Sequence, residues 1–452
     1  MTYLEIKRRA VPRLNFVSQD VLLHMCSVGR EPRKVMQHIN SFTDSTKGVH
    51  WQPADESGAE TSIAIGCRSG DGEDFFYAEP SLCTGALDDW LPGWLEHQVR
   101  QMHTAMKVSL EEWGTKTREG RLEQLEQLCL SSNHMVWTVE TNAALERRQQ
   151  GASDAVARHL ESLIGQISFY GAHVRKSLPK LIRKRVNTLV TVLAHQRDVV
   201  ATLDHGNATA DSFDWTSQFR AVWDVDRDNC LILQGSCEVA HKHEYIGCSG
   251  RLAVTALTDR CYLTISTALK LAQGVFPMGP AGSGKTETVK DFAKNVGAWA
   301  IVLNCSDQMD AHTLKDVVHG IAQTGSYCIF DEFNRISLAA LATTYDLLRP
   351  VMDAIRAGRT SIAVGDEHLH VHHGGLFAAT MNPGYLGRNE LPENLKQLFR
   401  PVMMCVAGSR SHHPCLAAAL PRSLAAALPR SLAAVLPLRF AAIARSVAHT
   451  EG

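Results

Sequence analysis

Apolar positions recur along the chain with two different periods, and the change falls near residue 240. Before it the spacing is helical: Leu122, Leu125, Cys129, Leu130 and Val136 form one stripe, and Leu160, Leu163, Ile164 and Ile167 another. The longest predicted helix covers 180–203, with Ile182, Val186, Leu189, Val190, Leu193 and Val200 on one face and Arg183, Lys184 and Arg185 read as a solvated run. Trp215, Phe219, Val222 and Trp223 continue at helical spacing as a packed aromatic seam. Residues 230–233 and 237–240 flank a Gly235-Ser236 turn signal and predict a hairpin. Polar stretches at 58–62 and 66–73 read as connections, so residues 1–240 are expected to be mostly helical.

After residue 240 the apolar runs become short and lie between helical stretches. Runs at 275–278, 299–303, 327–330, 376–381 and 402–406 predict buried strands of a parallel sheet with helices on both faces. Such a sheet carries its chemistry at the C-terminal ends of its strands. From about residue 407 the octad at 416–423 repeats at 424–431 and again, degenerately, from Leu432. Pro421, Pro429 and Pro437 interrupt any helix there, so 407–452 reads as a low-complexity, disordered tail without assigned function.

Composition narrows the function classes little. The chain has 452 residues, room for two or three domains, and a net charge of -1 that calls for neither nucleic acid nor an anionic membrane as partner. Its 12 cysteines are scattered singly, which fits reduced thiols in the cytosol. The N-terminus is charged at once, with no apolar run of a signal peptide, and no stretch is long enough to span a membrane. The histidines of the first half (His24, His38, His97, His134, His159 and His173) stand apart, with no partner at a fixed spacing.

The decisive motif is Gly279-Pro280-Ala281-Gly282-Ser283-Gly284-Lys285-Thr286, which fits G-x-x-x-x-G-K-[ST] between an apolar run and a helix. That helix repeats Val289, Phe292, Ala293 and Val296 on one face and meets a predicted cap at Gly297. Glycines there let backbone N–H groups close around phosphate oxygens at a helix N-terminus. Lys285 is placed to meet the β- and γ-phosphates, and Thr286 to offer a hydroxyl to Mg2+. Asp331-Glu332 follows 46 positions after Lys285 at a strand end, the Walker B arrangement. Asp331 is a metal-holding carboxylate there, and Glu332 the group that orients or deprotonates the attacking water. Asn382, at the next strand end, is a candidate for the γ-phosphate or the lytic water, although Asn-Pro-Gly is also a turn former. Arg400, just before the last predicted strand, is either a charge for phosphoryl transfer or a surface arginine.

GPAGSGKTETVKDFAKNVG, VLNCSDQMD, FDEFNRIS, TMNPGYLGRNELPENLKQLFRPV and SGRLAVTALTDRCYLT together resemble the first AAA+ module of dynein heavy chains. YLEIKRRAVPRLNFVSQDVLL, SNHMVWTVE, FDWTSQFRAVW and EYIGCSGRL look like the C-terminal part of the dynein linker, and the resemblance covers about residues 3–406. It implies an α-helical linker at 1–240 followed by an α/β P-loop AAA+ large domain at 241–406. It also implies ATP and Mg2+ as cofactors and an ATPase that bends a linker across a ring of six modules, producing force toward microtubule minus ends. The partners it implies are the remaining AAA+ modules, intermediate and light chains, and microtubules through segments outside this chain.

By motif, Lys285 and Thr286 fall in Walker A, Asp331 and Glu332 in Walker B, and Asn382 at sensor I; Arg400 matches an arginine finger that acts on a neighbouring module. SDQMD and ELPENLK lean toward the axonemal class, so the expected location is the cytoskeleton of a cilium or flagellum. Tyr327 departs from the tryptophan usual in the family, and 338–355 and 367–373 also drift. The small lid, the other modules, the stalk and the tail are not recognised, which makes a fragment the expectation. Rival readings are a nucleotide-dependent interaction module that does not hydrolyse, and a truncated gene product.

Overall fold

The computed structural model describes residues 3–54, 60–307, 309, 311–364, 367–382 and 391–405. The tail, NPGYLGR beyond Asn382 and part of the 58–62 connection lie outside them.

Helices Leu87–Glu111, Glu126–Gln149, Ala155–Val174 and Lys180–His205 dominate the first half. The stripe of Lys180–His205 is buried as its spacing demands, with Val186, Leu189, Leu193 and Val200 packed with Leu163 and Ile167 of the preceding helix. Ile164 is the exception and faces solvent. Arg185 is not solvated: it is buried, donates to Leu122 O at 3.0 Å and pairs with buried Glu73 at 2.9 Å. Its fork satisfies a backbone carbonyl and a carboxylate at once, which lets the charge stay inside.

Two sheets interrupt the helices. Strands β1 (Thr46–Trp51), β2 (Ile63–Ser69) and β3 (Asp74–Leu82) form an antiparallel sheet in a region expected to be helical and looped. Residues 66–69 therefore belong to a strand, and only the turn after them connects. Gly66 sits at a register shift where a Cβ would lie 2.6 Å from Phe75 O. Strands β4 (Arg220–Asp224), β5 (Asn229–Gln234) and β6 (Cys237–Ala240) form the second sheet, which contains the predicted hairpin. The aromatic seam is packed, since Trp215 and Phe219 are buried, but it is not helical. Trp215 lies in a one-turn helix and Val222 and Trp223 lie in β4, because β4 pairs with β5 along its whole length.

The second half is built on five parallel strands: β7 (Gly274–Met278), β8 (Ala300–Asn304), β9 (Tyr327–Asp331), β12 (Leu376–Ala379) and β13 (Phe399–Met403), in the order β13-β7-β12-β9-β8. Between β9 and β12 in sequence, β10 (Ser361–Val364) and β11 (Glu367–His370) make a separate hairpin. The run predicted at 402–406 forms its strand three residues earlier, so Arg400 lies inside β13. Strand β8 is an edge and only half-buried, whereas β9 and β12 are covered on both faces.

Helices Ala256–Lys270 and Lys285–Val296 cover one face through Ile265, Val289, Phe292 and Val296; Ala311–Thr324 and Leu338–Arg356 cover the other through Ile321, Leu341 and Leu348. The first of these cores runs without a break into Phe75, Met102, Phe219 and Ile232 of the N-terminal half. Arg8 pairs with Asp316, Arg13 with Glu244, and Phe16 stands edge-on to Trp299 at 5.1 Å, so both halves pack on the same module.

Candidate active site

Strand β7 runs into the glycine loop, and the helix Lys285–Val296 starts directly after it. Gly282 and Gly284 take φ values of +74° and +80°, a conformation that costs a side-chain-bearing residue energy. The loop is pinned from both sides. Gly279 N donates to Met381 O at 3.2 Å, and a Cβ on Gly279 would land on the Met404 carbonyl. The Lys285 side chain is buried and folds over the loop, its Nζ reaching Pro280 O at 2.7 Å and Gly279 O at 3.0 Å. Those carbonyls hold the ammonium where an incoming phosphate would compete for it.

Strand β9 delivers the acidic pair to the same edge. Thr286 Oγ1 donates to Asp331 Oδ1 at 2.5 Å, joining loop helix and strand end. Thr380, at the end of β12, donates to the same oxygen at 2.7 Å and accepts from Glu332 N at 3.0 Å. Glu332 itself has φ +55°, the left-handed region, as the chain turns out of the strand. Its carboxylate is held between Asn382 Nδ2 at 3.1 Å and Arg335 Nε at 2.5 Å. Asn382 is buried, and with its amide N–H on the carboxylate its Oδ1 has no partner among the described residues. An unpartnered buried carbonyl aimed at this edge is an acceptor open to a water or hydroxyl. Burial, reinforced by the negative charges of Asp331 and Glu332, pushes the neighbouring Cys305 thiol up to about 12, so it stays protonated.

The fold thus brings Gly279 through Thr286, Asp331, Glu332 and Asn382 together. Arg400 is not with them. It is exposed on β13 opposite Val275, three positions before Met403 and its partner Met278, about 10 Å below the loop at strand rise. Thr380 and Arg335 are the site residues that sequence reading missed. Thr380 was findable, because strand alternation sends residues 380 and 382 to one face.

A family model described as the hydrolytic ATP binding site of dynein motor region matches residues 241–412, and one described as dynein heavy chain, N-terminal region 2 matches residues 1–112. Dynein axonemal heavy chain 2 of Mus musculus is 37% identical over 413 residues, which is 90% of this chain and 9% of that one. The chain belongs to the dynein heavy-chain family. Dynein beta chain, ciliary, of Heliocidaris crassispina is 37% identical over 89% of this chain, and dynein beta chain, flagellar outer arm, of Chlamydomonas reinhardtii 36% over 89%. This dynein heavy-chain sequence spans 9% of the length of each of these curated relatives. Among its described residues no helix is long and apolar enough to cross a membrane.

Proposed function

We propose that this dynein heavy-chain segment binds and hydrolyses Mg·ATP between the Lys285 loop and the Asp331 strand end, and passes the nucleotide state to the linker-like half packed against it. The observation that carries this reading is the 2.5 Å contact of Thr286 Oγ1 with Asp331 Oδ1 at the mouth of the glycine loop. A hydroxyl and a carboxylate oxygen held side by side are a hard-cation donor pair once the ion replaces the hydrogen bond between them, and no group of three His, Cys, Asp or Glu side chains among the described residues offers an alternative metal cage. Such a pair suits Mg2+, which keeps waters and phosphate oxygens in its remaining positions. When bound, the ion neutralises charge developing on the phosphates.

Glu332 takes the role of the water-orienting base, Asn382 that of the group beside the γ-phosphate, and Lys285 that of the phosphate clamp. Arg400, exposed on β13 and apart from this chain's own site, fits a role on a neighbouring module. In the assembled motor the partners are the remaining AAA+ modules, intermediate and light chains, and microtubules reached through other segments, with minus-end-directed motility in a cilium or flagellum as the output. The axonemal and ciliary relatives support that setting.

Two variants test the site. Lys285→Met should weaken nucleotide binding by about 10- to 100-fold, the loss of one charge-assisted contact. Glu332→Gln should bind ATP as wild type and lose any phosphate release. Phosphate release by Glu332→Gln at the wild-type rate would remove Glu332 from the mechanism.

A further inference from the structure

Lys242 lies two residues after the end of β6, on the segment that leads to the helix Ala256–Lys270, and its side chain serves the opposite end of the module from the phosphate loop. Its backbone N donates to Val296 O at 3.0 Å, and Glu244 N to Gly297 O at 3.0 Å, so residues 242–244 bind the C-terminal end of the helix that begins at Lys285. From there the side chain reaches the residues that lead into β9 and β12. Nζ donates to Gly374 O at 2.6 Å and to Gly325 O, and lies 5.0 Å from the centre of the Tyr327 ring. Gly325 precedes β9 and Gly374 precedes β12. One half-buried lysine therefore ties together the starts of the two strands whose far ends lead to Asp331, Glu332, Thr380 and Asn382.

The placement is costly. Burial brings the ammonium down to about 8, with the charge of Glu244 opposing the shift. Two carbonyls and a ring face are the kind of compensation a buried cation needs. The fit is also specific, since a Cβ on Gly374 would lie 2.8 Å from Nζ.

We propose that Lys242 is a positioning residue for the nucleotide site: it fixes the height of β9 and β12 relative to the Walker A helix, so that Asp331, Glu332 and Asn382 meet the metal and γ-phosphate held by the glycine loop. This rests on the ATP reading above and adds the element that sets the register between its two halves. The glycine loop stays outside its reach, because the side chain touches neither the loop nor the start of the helix, and the bonds to the helix end are made by backbone.

That division gives the test. In the full 452-residue chain, a fluorescent ATP analogue is titrated into wild type, Lys242→Met, Lys242→Gln and Lys285→Met, first in EDTA and then with Mg2+, with thermal unfolding recorded for each. Lys242→Met should keep the wild-type affinity in EDTA and lose about tenfold of the tightening that Mg2+ brings, in line with the effect of small misplacements in a site. Lys242→Gln keeps two N–H donors and should recover part of that tightening, an effect a loss of general stability would not produce.

Equal Mg2+-dependent tightening in wild type and Lys242→Met overturns the proposal. So does an equal loss in EDTA and Mg2+, in Lys242→Met or, if that variant does not fold, in Lys242→Gln. Lys285→Met separates the two levels of the reading: if it binds as wild type, the ATP site itself is wrong, whereas a weakened Lys285→Met beside an unaffected Lys242→Met removes only the role of Lys242.

Discussion

Thr380→Val is the sharpest probe of how the site is held together. Valine keeps the shape of the threonine and removes one hydroxyl, which in the native structure does two things at once. It donates to Asp331 Oδ1 at 2.7 Å and accepts from Glu332 N at 3.0 Å, in a side chain that is 1% exposed. A hydrogen bond to a charged group contributes about 1.5–3 kcal/mol and a neutral one about 0.5–1.5 kcal/mol. The new methyl returns up to about 0.8 kcal/mol of apolar burial. The net expected loss is about 1.2–3.7 kcal/mol of unfolding free energy.

The left-handed Glu332 adds to this. Its φ of +55° is maintained by the Thr380 hydroxyl on its own N–H and by Phe333 N donating to Thr380 O at 2.9 Å, so removing the first anchor lets the turn relax and moves the carboxylate. Urea denaturation of wild type, Thr380→Val and Thr286→Val measures the difference. Thr286→Val gives up one bond at a half-buried position and should lose only about 1 kcal/mol. A loss below about 0.5 kcal/mol for Thr380→Val, or one no larger than that of Thr286→Val, would refute the view that Thr380 fastens the acidic pair.

Two further outcomes concern stability. The Tyr327 hydroxyl is buried without a partner among the described residues, while its ring stacks on Phe292 at 6.5 Å and faces Lys242, so Tyr327→Phe should raise unfolding free energy by about 1 kcal/mol, and a decrease in a thermal scan would show that the hydroxyl is satisfied in solution. His243 is buried against Asn229 Oδ1 at 2.7 Å, and burial, with the charge of His103 beside it, brings its imidazole down to about 3. Its unfolded pKa is near 6.5, so between these values the unfolded chain binds more protons and stability falls as pH drops from about 6.5 toward 3. His243→Gln should flatten that fall in denaturant titrations across the window, and an unchanged slope would place the acid sensitivity elsewhere.

The sequence made the phosphate loop and the acidic pair readable because each is contiguous and its chemistry follows from residue order. The partners that join them are not contiguous. Thr380 meets Asp331 across 49 positions, and only the adjacency of β12 and β9 puts them side by side. Arg335 follows Glu332 by three residues, but its ion pair depends on a short 3-10 turn that no periodicity announces.

The N-terminal sheet was hidden for another reason. Its register shifts between Ala64 and Gly66 and between His50 and Trp51 break the alternation by which strands are recognised, and Phe76 and Leu82 face solvent. Trp215, Phe219, Val222 and Trp223 misled in the opposite direction, since spacings of four and three suit a helix, yet the last two residues alternate faces of β4.

The arrangement also decides by what route the two halves can influence each other. A 12-residue helix is a rod about 18 Å long, and Lys285–Val296 carries the phosphate loop at one end and the 242–244 segment at the other. Its apolar face, Val289, Phe292, Ala293 and Val296, is fully buried, so the rod cannot bend without opening the core that both halves share. A displacement at Gly284 must therefore appear at Val296 and Gly297, where a Cβ would collide with the His241 ring and where Lys242 N and Glu244 N are attached. Strand β6 ends at Ala240, one residue before that attachment, and His241 between them is tied to Cys230 O of β5, so a shift of the helix is delivered to the β4–β6 sheet with no flexible linker between them.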